Sequence, residues 1–532
     1  MTMRRHKLLS CGALFLALTA AACGYYRITP KAIEPGQLTA QSSTEISTPA
    51  KAHLKDGGVV LFPDGFRVDG GLIKGKGEKY DLTRQSRLLV SQLPLNEVAA
   101  LEHYEKDLRP VASTVSTGGT IATVAVGVVG AVVLVKALFG SCPTIYSLEG
   151  ERQLEAELFS NSISRRFEGD DMDRLSGVSL RDGGYRLQLA NEAPETHYIN
   201  RIALELVDHS AGTSAYPSPE GEVVVFRGDA PFTAQSRRGE EVTAALAARD
   251  DVAYRTDPAL TRELARDITE DWVELTVPVP AEAQTKNPVV ALRLRNTLMA
   301  TVLLYDVMLR AQGVKALEWL GSDTLNPFYA WRVFRWFDRH YSLRVQVWDG
   351  DRFVTAASLS PTGPIAWHDV AVKLPPVRGP EARIRVSFLP DNWMVDWASV
   401  GFGTAEPLAM SSIPAAGLDG LSGERAEEIL SPLREKDHSY LITSPGESYI
   451  LFFPAKASAA GTERTCFLRS RGFYIEWLRE DWFNDAGRLT AAPPFEPGDE
   501  AVIQTARLWL QKKDDMERRF TETKIPLAGG TL

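Results

Sequence analysis

Four carboxylates, Glu168, Asp170, Asp171 and Asp173, crowd the loop Phe-Glu-Gly-Asp-Asp-Met-Asp at residues 167–173. Alternating oxygens of this kind suit Ca²⁺. The loop lacks the turn glycine and the distal glutamate of an EF-hand, so a solvated acidic loop is the preferred reading and no metal is assigned. Glu476 and Asp481 have the residue types of a glycosidase acid and base, but a chain with 68 acidic residues offers such pairs by chance. The eight histidines are scattered; His197, His209, His340 and His368 read as core or surface residues. No H-E-x-x-H, C-x-x-C, G-x-S-x-G, strand-linked G-x-G-x-x-G or Walker loop occurs. Gly118-Gly119-Thr120 opens an apolar run with no lysine to hold a phosphate. No catalytic residue and no cofactor is assigned, and a non-enzymatic role is expected.

Aromatic side chains are the other candidate chemistry. Trp331, Trp336, Trp348, Trp367, Trp393 and Trp397 lie close together in the sequence. Exposed, they would stack on sugar rings or anchor a protein partner, with Trp367 and Trp393 as the ligand-facing pair. Buried, they would fill a β core, which is the commoner use of tryptophan. The formal charge of −9 argues against a nucleic-acid partner, which would call for a basic stripe.

The amino terminus carries an export signal. Arg4, Arg5, His6 and Lys7 form a positive region, and residues 8–22 form a short apolar stretch ending in small residues. The sequence Thr19-Ala20-Ala21-Ala22-Cys23-Gly24 resembles the lipobox of bacterial lipoproteins, departing from it in having Ala20 where Leu is favoured. The resemblance implies that residues 1–22 are removed and that Cys23 takes diacylglycerol, each buried methylene adding about 0.8 kcal/mol of membrane affinity. Gly24 in place of Asp implies, by the same resemblance, the periplasmic face of the outer membrane. The competing reading is an ordinary signal cut after an Ala-x-Ala site. Of the four cysteines, Cys11 leaves with the signal and Cys23 is lipidated. Cys142 and Cys466 remain, and in an oxidising compartment they form a disulfide or stay as two separate buried thiols.

Residues 113–140 are a second hydrophobic segment, uncharged from Gly119 to Val135. Gly119, Thr123, Gly127 and Ala131 recur every four residues, so small side chains line one helical face and would let helices approach closely. Three readings stand: a transmembrane helix, a helix packing into a homo-oligomer through residues 119–139, and a buried segment or linker. A span would place the chain in the inner membrane, because spans of the outer membrane are normally β-barrels.

The 532 residues, 44% hydrophobic and 24% charged, call for about two to four globular domains. Residues 23–50 read as a flexible tether. Residues 51–110 carry short apolar runs broken by Asp64-Gly65 and Gly70-Gly71, which are hairpin signals. Their layout resembles small SH3- or Sm-like barrels, so a small β-barrel is expected. Residues 141–330 read as a β-rich domain with a helix over 297–320, where Leu298, Val302, Tyr305 and Leu309 share a face. Residues 331–405 alternate most clearly, and their late strand, with Trp393, Asp396 and Val400, resembles galactose-binding-like jelly-roll domains. Residues 406–532 read as an α/β region ending in a helix at 501–512. The whole is expected to be mainly β with minor α: a small barrel, one hydrophobic helix and a large β-sandwich or jelly-roll region.

The order lipobox, small β domain, hydrophobic segment, then Ser141-Cys142-Pro143-Thr144-Ile145-Tyr146 resembles uncharacterised bacterial envelope lipoproteins. That resemblance implies a lipid-anchored interaction or structural module and brings no activity. Two alternatives remain open: a carbohydrate-binding protein or divergent glycan hydrolase, and a component of an envelope secretion or assembly complex. The implied partners are membrane lipid through Cys23 and envelope proteins or glycan.

Overall fold

The computed structural model describes residues 24–33, 44–48, 50–54, 59–62, 64–80, 87–110, 143–148, 151–162, 168–193, 195–311, 327–377, 379–437, 439–443, 447–476 and 495–522. Cys23, Cys142, Asp481 and the whole of residues 113–140 lie outside them. The fold is mainly β with minor α. The chain divides into two compact units, one holding residues 1–129 and the other most of the remainder.

The first unit is an eight-stranded antiparallel sheet. Its alternating strands turn Val60, Phe62, Phe66, Val68, Ile73 and Leu101 to one buried face. Gly70 and Gly71, at φ +58° and +76°, make the two-residue turn between Phe66–Asp69 and Leu72–Tyr80. A turn with two positive φ values matches the twist of the strands it joins. Gly65 is equally constrained: a Cβ there would sit 1.9 Å from the Ile46 carbonyl oxygen. The expected small barrel does not close. Gly24–Ile33 and Thr44–Ile46 lie at opposite ends of the strand order and do not pair among the described residues. Gly24–Ile33, expected as tether, is itself a strand, paired in unbroken register with Val98–Pro110.

The second unit holds two β-sandwiches, one nested in the other. The outer sandwich draws its strands from both sides of the inner one. One sheet sets Gln153–Glu157, Thr144–Ser147, Gly184–Ala190, Ser448–Pro454 and Gly417–Leu418 side by side. The other sets Gly169–Leu175, Thr462–Glu476, Glu195–Ser210 and Ala409–Pro414, with Leu441–Thr443 also on Glu195–Ser210. Tyr185 of the first sheet reaches Cys466 of the second.

The inner sandwich occupies the stretch between those segments. A five-stranded sheet (Thr233–Ser236, Asp271–Pro278, Glu381–Phe388, Leu343–Trp348, Phe353–Leu359) faces a three-stranded one (His368–Lys373, Pro288–Asn296, Trp393–Phe402). Both contribute to one core, including Val273, Leu275, Leu292, Val345, Ile384, Val386 and Trp393. The β unit expected over 331–405 is therefore larger: it is completed by strands from 233–296 that lie before its expected start. Alternation made 343–402 legible, but only pairing shows that their partners come earlier in the chain.

The helix expected over 297–320 is a short α-turn, Met299–Val302, running into a π-helix, Leu303–Leu309. Leu298, Val302, Tyr305 and Leu309 are buried, but so are Leu303, Leu304, Val307 and Met308. A segment apolar on every side belongs inside a fold. The carboxy-terminal helix is longer than expected, Asp499–Glu522, and buries Val502, Ala506 and Trp509. Asp499 and Glu500 in its first turn complement the helix dipole.

Candidate functional site

A cleft of about 540 Å³ opens at one end of the inner sandwich. Three elements build it: the end of the strand Thr233–Ser236 with the turn that follows it (Ser236, Arg238, Glu240), the segment from Tyr254 to the helix Pro258–Leu264, and the helix Asp499–Glu522, which supplies Lys513. Leu260 and Leu264 bury against the core and hold the short helix in place. Asp257 caps that helix by accepting from the Ala259 N–H at 2.7 Å.

Beneath the cleft, reached through Tyr254, Thr256 and Lys513 of its lining, runs a connected hydrogen-bond network. Asp271 is fully buried. Its carboxylate accepts from the Tyr254 hydroxyl at 3.0 and 3.1 Å, the Thr256 hydroxyl at 2.7 Å and the Trp272 N–H at 2.8 Å. Burial pushes its pKa up, and those same donors oppose the rise. Burial and the adjoining Asp271 charge push the Tyr254 phenol up as well, so it stays protonated and donating. The Thr256 oxygen in turn accepts from the Asp391 N–H at 2.9 Å. Asp391 stands at φ +61°, a conformation Asp tolerates better than most side chains. Its carboxylate accepts from the Trp509 indole N–H at 2.6 Å and from Lys513 Nζ at 2.8 and 3.0 Å.

The rim alternates in charge. Arg238 pairs with Asp257 at 3.0 Å, and Arg255 with Glu517 at 3.7 Å. Glu240 and Ser236 complete the wall. The arrangement offers fixed donors beside fixed acceptors, with no net field of one sign, above a network whose carboxylates are already supplied with donors. It is suited to hold a neutral molecule rich in hydroxyls, each of which both donates and accepts. Among the described residues no cluster of His, Cys, Asp and Glu has the form of a metal site.

The structure does not bring the sequence candidates together here. Trp393 is fully buried and donates its indole N–H to the Tyr341 carbonyl at 2.9 Å, so it is a core residue and not a ligand-facing one. Trp367 is half-buried, and the guanidinium carbons of Arg295 and Arg293 lie 4.5 and 5.0 Å from its ring centre. Those cations cover the ring that a sugar would need. Trp336 is also buried, whereas Trp331 is 46% exposed.

The acidic loop leads into the strand Gly169–Leu175, and its carboxylates are used separately. Glu168 and Asp170 pair with Arg471, and Asp170 also with Lys436. Asp171 accepts from the Phe159 and Met172 N–H groups. Asp173 meets His368 Nδ1 at 3.1 Å across the contact between the two sandwiches. Burial, with the Asp171 charge, pushes Asp173 up to about 7. Burial alone would lower His368, but its hydrogen bond to Asp173 and the charges of Asp173, Asp171 and Glu157 outweigh that and raise it to about 8. His197 is different: burial alone pushes it down to about 3, and it is a neutral core imidazole. Cys466 is a buried thiol that burial pushes up to about 11, so it is not a nucleophile near neutral pH. Its expected disulfide partner, Cys142, lies outside the described residues, as do Gly119, Thr123, Gly127, Ala131 and the rest of 119–139. Among the described residues no helix is long and apolar enough to cross a membrane.

Asp271, Tyr254, Thr256, Asp391 and Lys513 were not singled out by sequence reasoning. They span nearly half of the chain and share no local spacing. The one signal available was Asp391-Asn392 at a break between two strongly alternating runs.

No family model and no curated protein matches the chain. Among solved structures, a likeness is found to the crystal structure of a GH31 alpha-xylosidase from Xanthomonas citri, with 10% identity over 80% of this chain and a TM-score of 0.14. The match spans 34% of that enzyme, and a score so low carries no argument about fold or activity.

Proposed function

We propose that the protein is a non-catalytic binding component of the bacterial envelope, lipid-anchored at Cys23 on the periplasmic face of the outer membrane, with the cleft above Asp271 as its ligand site. The observation that supports this most is the state of the two carboxylates beneath the cleft. A general acid or nucleophile must present a free oxygen to its substrate. Asp271 has three donors and Asp391 has two, all from the protein itself. Groups held so completely shape a site; they do not react in it.

The ligand class favoured is carbohydrate. The mixed rim of Arg238, Asp257, Glu240 and Lys513 supports that choice, because a strongly anionic or cationic ligand would meet like charge wherever it lay. Titration calorimetry of the purified protein with soluble peptidoglycan fragments and neutral oligosaccharides tests it. Binding is expected, and Lys513→Met and Arg238→Met should each weaken it about tenfold, the loss of one charged hydrogen bond. Absence of heat with every glycan would remove the carbohydrate reading. The anchor is tested separately, by the mass of the amino-terminal peptide from cells: a diacylglyceryl adduct at Cys23 is expected, and Cys23→Ser should release the protein from the membrane fraction.

A further inference from the structure

We propose that the exposed face of the helix Pro327–Tyr341 docks on a phospholipid bilayer bearing anionic headgroups. The two sides of this helix are sharply divided. Val333, Trp336, Phe337 and Tyr341 are buried and fix it in the fold. Phe328, Trp331, Arg332, Arg335 and Arg339 are exposed. Those five recur at three- and four-residue spacing, so they form one stripe along the helix. From Phe328 to Arg339 the stripe runs about 17 Å. Phe328 is 71% exposed and Trp331 46%, so its aromatic end is not core surface.

The charge of the stripe runs against that of the chain, which is −9 overall. The stripe holds three arginines and no carboxylate. Arg332 is paired with Glu496 at 2.7 Å. Among the described residues neither Arg335 nor Arg339 has an ion pair. Arg335 lies instead against Trp331, its guanidinium carbon 5.5 Å from the ring centre. The carboxylates that flank the stripe are engaged elsewhere: Asp338 accepts from the Ser342 and Ser358 hydroxyls at 3.0 Å each, and Asp499 meets His340 at 3.3 Å. Arg335 and Arg339 also line an open cleft of about 510 Å³ with Trp336, Asp338, His340 and Asp499.

Phosphate is the group this chemistry fits. A guanidinium binds phosphate oxygens in pairs, and two arginines without a carboxylate have their full charge to offer. Tryptophan rings settle at the headgroup layer, where one side is wet and the other apolar. A helical stripe that carries both has the composition of helices lying in the plane of a membrane interface. The helix is already held by its buried side, so docking has little left to order. Nucleic acid fits less well, because the basic surface is one stripe on an acidic chain. The contact requires neither diacylglycerol at Cys23 nor residues 119–139, and it would turn one chosen face of the second unit to the bilayer.

Co-sedimentation of the full Cys23→Ser chain with vesicles tests it. That substitution removes any acyl anchor, so failure of the anchor and failure of this contact are read separately, and any insertion by residues 119–139 is common to parent and variants. Vesicles of phosphatidylglycerol and phosphatidylcholine in equal parts should take up more protein than vesicles of phosphatidylcholine alone, and salt should narrow the difference. Arg335→Gln combined with Arg339→Gln should lower uptake by the mixed vesicles about thirtyfold, roughly fivefold for each charge. Its unfolding midpoint should stay at or near the unaltered value, since both side chains are exposed. Brominated phospholipid in the vesicles should quench tryptophan emission, and Trp331→Ala should remove most of that quenching. Equal uptake by the two kinds of vesicle, a double variant bound as tightly as its parent, or quenching unaltered by Trp331→Ala would overturn the proposal.

Discussion

Asp271 shows how one side chain organises the cleft. It brings the Tyr254 hydroxyl, the Thr256 hydroxyl and its neighbour's backbone N–H onto a single buried carboxylate, and Thr256 passes the linkage on to Asp391. Leucine at 271 would add bulk at a fully buried position and strand three buried donors. Each buried donor left unpaired costs about 1–3 kcal/mol, so Asp271→Leu should lower the unfolding free energy by about 3 kcal/mol or more and abolish ligand binding. Denaturant unfolding measures the first; an unchanged midpoint would show that the network holds nothing. Trp393 carries the opposite lesson. Its place in a late alternating strand was legible, but which way it faced was not. Alternation fixes which residues share a face, and only the position of the second sheet decides which face is inside. The cleft was illegible for a different reason: its residues meet through strand ends and a helix end, and no local pattern records such meetings.

Between elements, the contact of the two sandwiches is unusually polar. His368 and Asp369, at the start of one strand, meet Asp173 and Arg174 of another, at 3.1 Å in each case. Glu157, fully buried, accepts from the Ile365 and Ala366 N–H groups, and a Cβ on Gly363 would collide with its carboxylate at 1.9 Å. This latch titrates. His368 rises from 6.5 to about 8 on folding and Asp173 from 3.8 to about 7, so the folded state binds more protons than the unfolded chain between those limits. Stability therefore falls as pH rises: the His368 contribution is complete below pH 6.5 and lost as pH passes 8, and the cost of ionising buried Asp173 grows up to about 7. Asp171 and Glu157 face the same pair and hold the proton in place. Unfolding free energy should drop by about 3 kcal/mol between pH 6 and 8.5, and His368→Gln should flatten that slope. A slope unchanged by the substitution would assign the pH dependence to other groups. The sequence marked His368 and the acidic loop as separate, unremarkable features. Their meeting depends on the folding of the stretch between them, since pairs across this contact are 195 positions apart in the chain.

At the scale of the molecule, nesting was the feature least open to sequence reading. Strand character came through over 141–330 and most clearly over 331–405, because alternation is local. That 409–476 returns to complete a sheet begun before 210 is a fact of long-range pairing. The hinge of the arrangement is the hairpin of Ser214–Pro217 and Val223–Phe226, which has no exposed apolar face. One side, Tyr216, Val224 and Phe226, packs on Val289, Ala291 and Ala371 of the inner sandwich. The other, Ala215 and Val225, packs on Met172, Val207 and Phe467 of the outer. The chain leaves for the inner sandwich and returns side by side, the Ala405 N–H donating to the Val225 carbonyl at 2.8 Å. A two-faced hairpin cannot be released from one core without loosening the other, so the two sandwiches should open as one cooperative body. Phe226→Ala, a loss of about 3–5 kcal/mol for a buried aromatic, tests this by hydrogen exchange. Amides of Pro288–Asn296 in the inner sandwich and of Glu195–Ser210 in the outer should lose protection together and by similar factors. Faster exchange confined to Pro288–Asn296 would mean that the inner sandwich unfolds alone, and that the hairpin belongs to the outer core only.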